Sequence, residues 1–338
     1  MKRQAYRINK AGNINRLKLV DETISAPKPT EVQVAVKAIG LNFADIFAIL
    51  GLYSATPEGS FVPGLEYCGV VEKVGDNVDE YSSGDRVMGV IRFGGYANKI
   101  NIDQDYVTLL PDHWTFEEGA AFLVQSLTAY YGLFRLGNLN KGDTVLIHSA
   151  AGGVGLQANR MAQKTGAYTI GTVGSKNKID LLKKEGYQDY LVRDKHFKKN
   201  LSDKLKARDL NLVMECIGGS IFKAGYNLLA PQGRVVIYGS ARYGDTSNTP
   251  NWLRLAWKYI TRPKIDPQKM IETNKAVLGF NLIWLYHKKA LMKQIIDEMN
   301  KLKLPPPHIG HRYQFDEMYR AIKHFQSGKT MGKVVVQT

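Results

Sequence analysis

The sequence predicts an α/β protein of two domains, a β-rich module and a doubly wound parallel sheet, on three observations. The chain has 338 residues, enough to bury two separate cores. From residue 1 to about 125 it reads as short β-rich runs punctuated by Gly-Asp and Asp-Asn turns: VQVAVKAIGLN, YCGVVEKVGDNV, GDRVMGVI and GYANKINI. Over 144–240 strand-like and helix-like runs alternate, the pattern of a parallel sheet covered on both faces.

The elements follow in order. TFEEGAAFLVQSLTAYYGLFRLG (115–137) has apolar residues at helical spacing, with Thr115 as N-cap and Glu118 three residues on. Next come the strand TVLIHSA, a helix to about residue 165, the strand YTIGTVG and the helix KNKIDLLKKEG. DYLV, KKNLSDKLKAR, LNLVMECIGG, a further helix and GRVVIYGS continue the alternation. Residues 241–275 break it with turn chemistry and an amphipathic basic piece (Trp252, Leu253, Leu255, Trp257 and Tyr259 among Arg254, Lys258 and Arg262). AVLGFNLIWLY, the helix KKALMKQIIDEMNKL and a final helix and strand then lead back to the first module. The expected division is 1–125 with 276–338, and 126–275 carrying the insert 241–275.

The most informative string is TVLIHSAAGGVG, ending at Gly155, followed at once by the helical run LQANRMAQKTGA. It contains Ala150-x-Gly152-x-x-Gly155, a variant of the G-x-G-x-x-G dinucleotide fingerprint. A small residue at 150 permits the tight turn, Gly152 lets the backbone approach a diphosphate, and Gly155 lets the helix lie close to its strand. Free N–H groups at the helix start attract phosphate.

Composition is ordinary for a globular chain, 44% apolar and 23% charged. The net charge of +15 suits a solvated cationic surface or anionic partners. Lysines cluster at 176–206 without interleaved aromatic platforms, which argues against single-stranded nucleic acid. Two distant cysteines, Cys68 and Cys216, and a basic start without a continuous apolar segment point to a reducing, cytoplasmic setting. The seven histidines show no metal spacing, and His148, inside an apolar strand, reads as a satisfied core residue.

The strings GLNFAD (40–45), GLY (51–53), PGLEYCGVV (63–71), GDRVMG (84–89), LTAYYGL (127–133), AAGGVG (150–155) and GKVVV (332–336) run through nearly the whole chain. They resemble the zinc-free quinone oxidoreductase (zeta-crystallin-like) branch of the medium-chain dehydrogenase/reductase superfamily. KAGYNLLAPQGRVVIYG, the long insert and NKAVLGFNL look closest to its synaptic vesicle amine transport protein subgroup. The resemblance implies a GroES-like catalytic domain beside a Rossmann domain, and a homodimer paired through the fifth or sixth strand of the nucleotide domain. Where zinc-dependent relatives place their ligands, this chain resembles them in frame but carries Asn42, Leu65 and Val124. Glu66 alone cannot complete a three-ligand site, so no metal is expected.

The resemblance also implies a pocket lined by Asn42, Asp45 and Tyr53, with Thr128 beside a nicotinamide. Asn42 and Tyr53 are candidate donors to a substrate carbonyl, and Asp45 a residue that orients neighbours. Asn42 and Asp45 are equally suited to cap the helix FADIFAIL, and Tyr53 to pack at an edge. The expected cofactor contacts are Ala151, Gly152, Gly153 and Val154 on the glycine turn, with Ile217, Gly218, Gly239 and Ser240 at the carboxyl ends of the fourth and fifth strands. Phe280 near the nicotinamide and Gly332 with Lys333 follow from the resemblance, with core packing as the alternative for Ile217 and Phe280. No acid ends the second strand; Ser175 stands there, followed by Lys176 and Lys178, which suits a 2′-phosphate and predicts NADPH over NADH, with a solvated helix face as the alternative for the lysines. By the resemblance, Arg193 stands where related reductases have a phosphate-contacting tyrosine and is expected as a substituted contact. The activity expected is reduction of quinones or related activated enones, a small-molecule substrate. The alternative is a lipid-associated binding protein that keeps the fold, making peripheral contact with an anionic membrane through the insert, which is equally suited to be a lid over the substrate cleft or a dimer contact.

Overall fold

A computed structural model describes all 338 residues. The strands are β1 Lys2–Ile8, β2 Leu17–Thr23, β3 Glu31–Gly40, β4 Glu66–Val74, β5 Arg86–Val90, β6 Lys99–Asp103, β7 Val107–Leu109 and β8 Thr144–Ile147. They continue as β9 Tyr168–Val173, β10 Asp189–Val192, β11 Leu210–Glu215, β12 Leu229–Ile237, β13 Ala276–Gly279, β14 Ile309–Gln314 and β15 Lys333–Gln337. The helices are α1 Phe43–Ile49, α2 Phe116–Ala120, α3 Leu123–Tyr130, α4 Gly153–Thr165, α5 Ile179–Lys184 and α6 Phe197–Leu205. Five more follow: α7 Gly219–Leu228, α8 Trp252–Ile260, α9 Pro267–Thr273, α10 Lys289–Asn300 and α11 Met318–Gln326.

Two large sheets organise the chain. One is parallel, six-stranded, in the order β10-β9-β8-β11-β12-β13, so the order reverses between β8 and β11. That reversal opens a crevice at the carboxyl edge, where α/β sheets bind ligands. The other has seven strands in the order β14-β15-β3-β4-β5-β7, with β6 also on β3. β8 is buried along its whole length because both faces are covered. Val145 and Ile147 face the main core of 64 residues, which spans both sheets, and Leu146 faces a smaller one with Phe197 and Leu201.

The structure departs from the expected elements in three places. Residues 115–137 are α2, α3 and a π-helical turn at 131–136 rather than one helix. Gly137 allows that turn: a Cβ there would meet the carbonyl oxygens of Gly132 and Leu133 at 2.6 Å. The N-cap expectation holds, with Thr115 Oγ1 accepting from Glu118 N–H and the Glu118 carboxylate accepting from Thr115 N–H at 2.7 Å. Residues 276–279, expected in the first module, form β13 and pair with β12 in the parallel sheet. The insert contains α8 and α9, capped by Asn251 and Asp266. No helix is long and apolar enough to cross a membrane.

Candidate functional site

The glycine turn sits where β8 hands over to α4, at the sheet's carboxyl edge. Gly152 is the N-cap of α4 and supplies no side-chain cap, and the first turn carries no acidic residue. The first amides of α4 are therefore left for an external anion. A Cβ at Gly155 would lie 2.6 Å from Ala150 Cα and from Ser149 O, so only glycine lets α4 approach β8 this closely. Over Gly152 the space is open except for Ser149 O at 3.2 Å from an added Cβ. Ala151 is buried, and Val154 packs half-buried at the helix start. These features fit a dinucleotide diphosphate.

Around this turn the other expected contacts fall into place unevenly. Gly218, at φ +87°, follows β11, and its N–H and that of Ile217 donate to Glu215 Oε1. Gly239 packs on Cys216, and Ser240 starts a 3₁₀ turn after β12. Ser175, at the end of β9, donates to Asn177 Oδ1 at 2.6 Å. Arg193 is mostly buried and donates through Nη1 to the carbonyl and hydroxyl oxygens of Thr172, both at 3.0 Å. Its Nη2 lies 3.4 Å from where a Cβ on Gly174 would stand. Lys178 is not a free cation: Nζ donates to the carbonyls of Gly328 and Thr330 at 2.7 and 2.8 Å. Burial pulls its ammonium below the ordinary lysine range.

Between the two sheets lies an apolar cavity of about 120 Å³, linked to the turn by α3, which lends it Val124 and Thr128 and packs Gln125 on Gly153. Tyr53, Thr128 and Phe280 line it, with Leu65, Val124, Tyr238, Asn281, Tyr286 and Arg92. The Tyr53 hydroxyl donates to Asn281 Oδ1 at 2.6 Å, and burial pushes Tyr53 up to about 12. Tyr53 is thus a hydrogen-bonding group at neutral pH, not a source of phenolate. Thr128 Oγ1 donates to Val124 O at 2.7 Å, within its own helix. Phe280 packs on Tyr131 with ring centroids 4.9 Å apart. Asn281 has no protein partner for its Nδ2, so its NH₂ is available to an acceptor in the cavity.

Asn42 and Asp45 do not reach this cavity. Both are buried beneath it in a polar network. The Asn42 amide donates to Gly40 O at 3.3 Å and Glu66 Oε1 at 2.9 Å. Its oxygen accepts from Gln125 Nε2 at 2.6 Å and Lys333 Nζ at 3.0 Å. Two donors and two lone pairs are therefore spent inside the protein, and the expected donation to a substrate is excluded in this arrangement. Asp45 Oδ2 accepts from Asn42 N–H at 2.8 Å, fixing the start of α1, and from Tyr96 OH at 3.0 Å. Burial raises its carboxyl to about 7, against the opposing pull of those hydrogen bonds and of Lys333.

Lys333 corrects another expectation. Its N–H donates to His308 O at 3.0 Å and its Nζ pairs with Glu66 Oε1, so it faces the network and not the cofactor edge. Lys333 and Glu66 are 3% and 1% exposed, and burial pulls the lysine down while Glu66 opposes that. Gly332, at φ +61°, does sit at the turn: its N–H donates to Ala151 O at 2.7 Å. The sequence reading did not single out Arg92, Gln125, Tyr238, Asn281 or Tyr286 as site residues. They carry no local motif: Arg92, Tyr238, Asn281 and Tyr286 meet where the two sheets pack together, and Gln125 joins the Asn42–Glu66 network.

His148 is fully buried, with Nδ1 2.7 Å from Thr172 Oγ1 and Nε2 3.3 Å from Glu215 Oε2. Burial, with Arg193 nearby, drives it to about 3, so it stays neutral. Cys68 and Cys216 are buried thiols whose burial pushes them up.

A glycine turn at a six-stranded parallel sheet, facing a cavity closed by a β-rich module, defines a two-domain nucleotide-dependent oxidoreductase architecture. Residues 28–112 match the alcohol dehydrogenase GroES-like domain, and residues 153–297 match the family described as zinc-binding dehydrogenase. The synaptic vesicle membrane protein VAT-1 homolog of Homo sapiens is 34% identical over 332 residues, covering 96% of this chain and 84% of that protein. The quinone oxidoreductase-like protein 2 homolog of Nematostella vectensis is 30% identical over 351 residues, covering 99% and 90%. The crystal structure of the quinone oxidoreductase from Thermus thermophilus, solved also with NADPH, superposes with a TM-score of 0.79 at 28% identity, covering 99% and 100%. The chain belongs to the medium-chain dehydrogenase/reductase superfamily, in its quinone oxidoreductase branch, with VAT-1 homologues among its relatives.

Proposed function

We propose that this protein is a zinc-independent, NADPH-dependent reductase of quinones and related enones. The observation that carries this reading is the uncapped start of α4 beside the aromatic cavity of about 120 Å³. Bound NADPH supplies a hydride to the acceptor and solvent a proton, giving NADP⁺ and a hydroquinone or saturated carbonyl. The chain's own residues bind and orient. The amides after Gly152 hold the diphosphate, and Ile217, Gly218, Gly239, Ser240 and Phe280 border the rest of the cofactor path. Tyr53 fixes the Asn281 amide, whose free NH₂ donates to the carbonyl oxygen where charge develops. Aromatic and aliphatic walls exclude water.

Preference for NADPH rests on the end of β9, where Ser175 and the Arg193 guanidinium flank Gly174 and no carboxylate stands to repel a 2′-phosphate. Equal affinity for NADPH and NADH in calorimetry would defeat that preference. Zinc independence rests on donor chemistry. Asn42, Leu65 and Val124 supply neither thiolate nor imidazole, and the Glu66 oxygens already accept from Lys333, Asn42, Gln125 and the Val124 N–H. An ammonium at that spot repels a dication. Loss of NADPH absorbance with a panel of quinones and enones, unchanged by a chelator, is the expected outcome; no oxidation with any acceptor would overturn the assignment.

The same reading gives a catalytic unit of 1–125 with the segment after Gly279, a nucleotide unit of 126–279, and a homodimer joined through β13, one of the sheet's two edge strands. A second reading has its own observation. On α8, Trp252, Leu253, Trp257 and Ile260 are 66%, 87%, 67% and 68% exposed beside Arg254 and Lys258. Such a helix fits an anionic lipid interface. Sedimentation with acidic liposomes, lost when Trp252 and Trp257 are replaced by serine, supports it; unchanged sedimentation of the variant removes the helix from consideration.

A further inference from the structure

The substrate cavity has one charged residue in its lining, Arg92, on the loop that follows β5. The rest of the wall is aromatic, aliphatic or neutral polar. Arg92 forms no salt bridge, although Arg3, Arg7, Arg135 and Arg160 each find a carboxylate. Its side-chain partner is a ring nitrogen, Nε2 of His287, and its guanidinium carbon stands 5.4 Å from the centroid of the Trp284 ring. The guanidinium is partly exposed and its contact with His287 faces solvent, so where no carboxylate of this chain reaches it, water is its remaining partner. An incoming anion would replace it. The guanidinium fork matches a carboxylate in a bidentate pair, and desolvation by the cavity wall strengthens that pair.

We propose that Arg92 makes this cavity selective for conjugated acceptors that carry a carboxylate, the planar acceptor lying on the aromatic wall and the carboxylate on the guanidinium. This rests on the reductase reading of the same site. One guanidinium balances one negative charge; a phosphate dianion would leave a charge uncompensated against Leu65, Val124 and Ile91. The carboxylate sits on a short arm toward the Arg92 side. The redox balance is unaffected: the acceptor gains the hydride and one proton, and the carboxylate neither gains nor loses a bond.

The test compares a neutral 1,4-naphthoquinone with its analogue bearing a short carboxylate arm, and with one bearing an amine arm, by NADPH oxidation. The carboxylate compound is expected to show kcat/KM at least about tenfold above the neutral one, chiefly through KM. In Arg92→Gln that ratio falls to near one, in Arg92→Lys it is partly restored, and the amine compound is the poorest substrate of the wild type. Equal kcat/KM for the carboxylate and neutral compounds, or a ratio that survives Arg92→Gln, overturns the proposal while leaving the reductase intact. If none of the quinones is reduced, the reductase reading fails separately. Binding of 2-naphthoate against 2-naphthalenemethanol, read by quenching of Trp284 fluorescence relative to a Trp284→Phe control, then decides the anion site: preference for the carboxylate, lost in Arg92→Gln, supports it, and no preference overturns it.

Discussion

Replacing Lys333 by methionine tests whether the buried network is held by its ion pair. Methionine keeps the unbranched stem and removes only the ammonium, so packing against Gly40 and β14 changes little. What remains is Glu66, 1% exposed, with Asn42 at 2.9 Å, Gln125 at 3.3 Å and the Val124 N–H at 3.1 Å but no cation. Removing one partner of such a pair costs about 3–5 kcal/mol, because the other charge stays buried. Three surviving N–H donors place this case at about 3 kcal/mol. Glu66→Gln alone leaves the ammonium an amide oxygen to donate to but takes away its counter-charge, and is expected to cost a comparable amount. The double variant removes both members of the ion pair, so the two losses should fail to add by about 2 kcal/mol or more. Urea unfolding followed by far-UV circular dichroism and tryptophan fluorescence measures this. Trp114, buried against Phe122 with centroids 4.9 Å apart, reports on the sheet domain that holds the pair. A loss under about 1 kcal/mol in Lys333→Met, or simple additivity in the double variant, would refute the reasoning.

Other outcomes follow from the same geometry. Asp45 is raised to about 7 in the folded chain and ionises near 4 when unfolded, so wild-type stability should decline as pH rises from about 4 to about 7. In Asp45→Asn that decline, on the order of 4 kcal/mol at most, should disappear; parallel pH profiles for the two proteins would contradict it. Gly155→Ala drives a Cβ into the backbone of Ser149 and Ala150 and is expected to cost about 1–3 kcal/mol and weaken NADPH in calorimetry. Thr115→Ala removes one half of the cap on α2 and should lower stability by about 1 kcal/mol without changing NADPH affinity. Tyr53→Phe frees the Asn281 amide to rotate and should lower kcat with quinones more than it lowers NADPH affinity.

The legible parts of the sequence were those where local chemistry and tertiary fold agree. The strand–glycine–helix run at 144–165 is where it was expected because an apolar strand, a turn and an α-helix are each dictated by neighbouring residues. The Thr115 and Glu118 cap was legible for the same reason. The site was harder. Asn42 and Asp45 stand where a family pattern expects pocket residues, yet their partners, Glu66, Tyr96, Gln125 and Lys333, lie 24 to 291 positions away and turn both side chains inward. Lys178 looked like a free cation until the loop at 328–330 presented its carbonyls. Arg92 and Asn281 lie far apart in the sequence, and no spacing rule links them. The strand Ala276–Gly279 was misplaced because a short apolar run reads the same whether it closes one sheet or opens the next.

The last strand carries a lesson about biogenesis. β15 lies between β14 and β3, about three hundred positions from the strand it completes, and Gly332 just before it ties down the carbonyl of Ala151. During vectorial synthesis everything from β3 to β14 has to leave the ribosome before this seam can close. Until then the nascent first sheet has a gap, Glu66 has no counter-ion, and the loop meant for the nucleotide lacks its backstop. The same short stretch, 332–337, therefore seals the first sheet and braces the glycine turn, so the two acts are mechanically one.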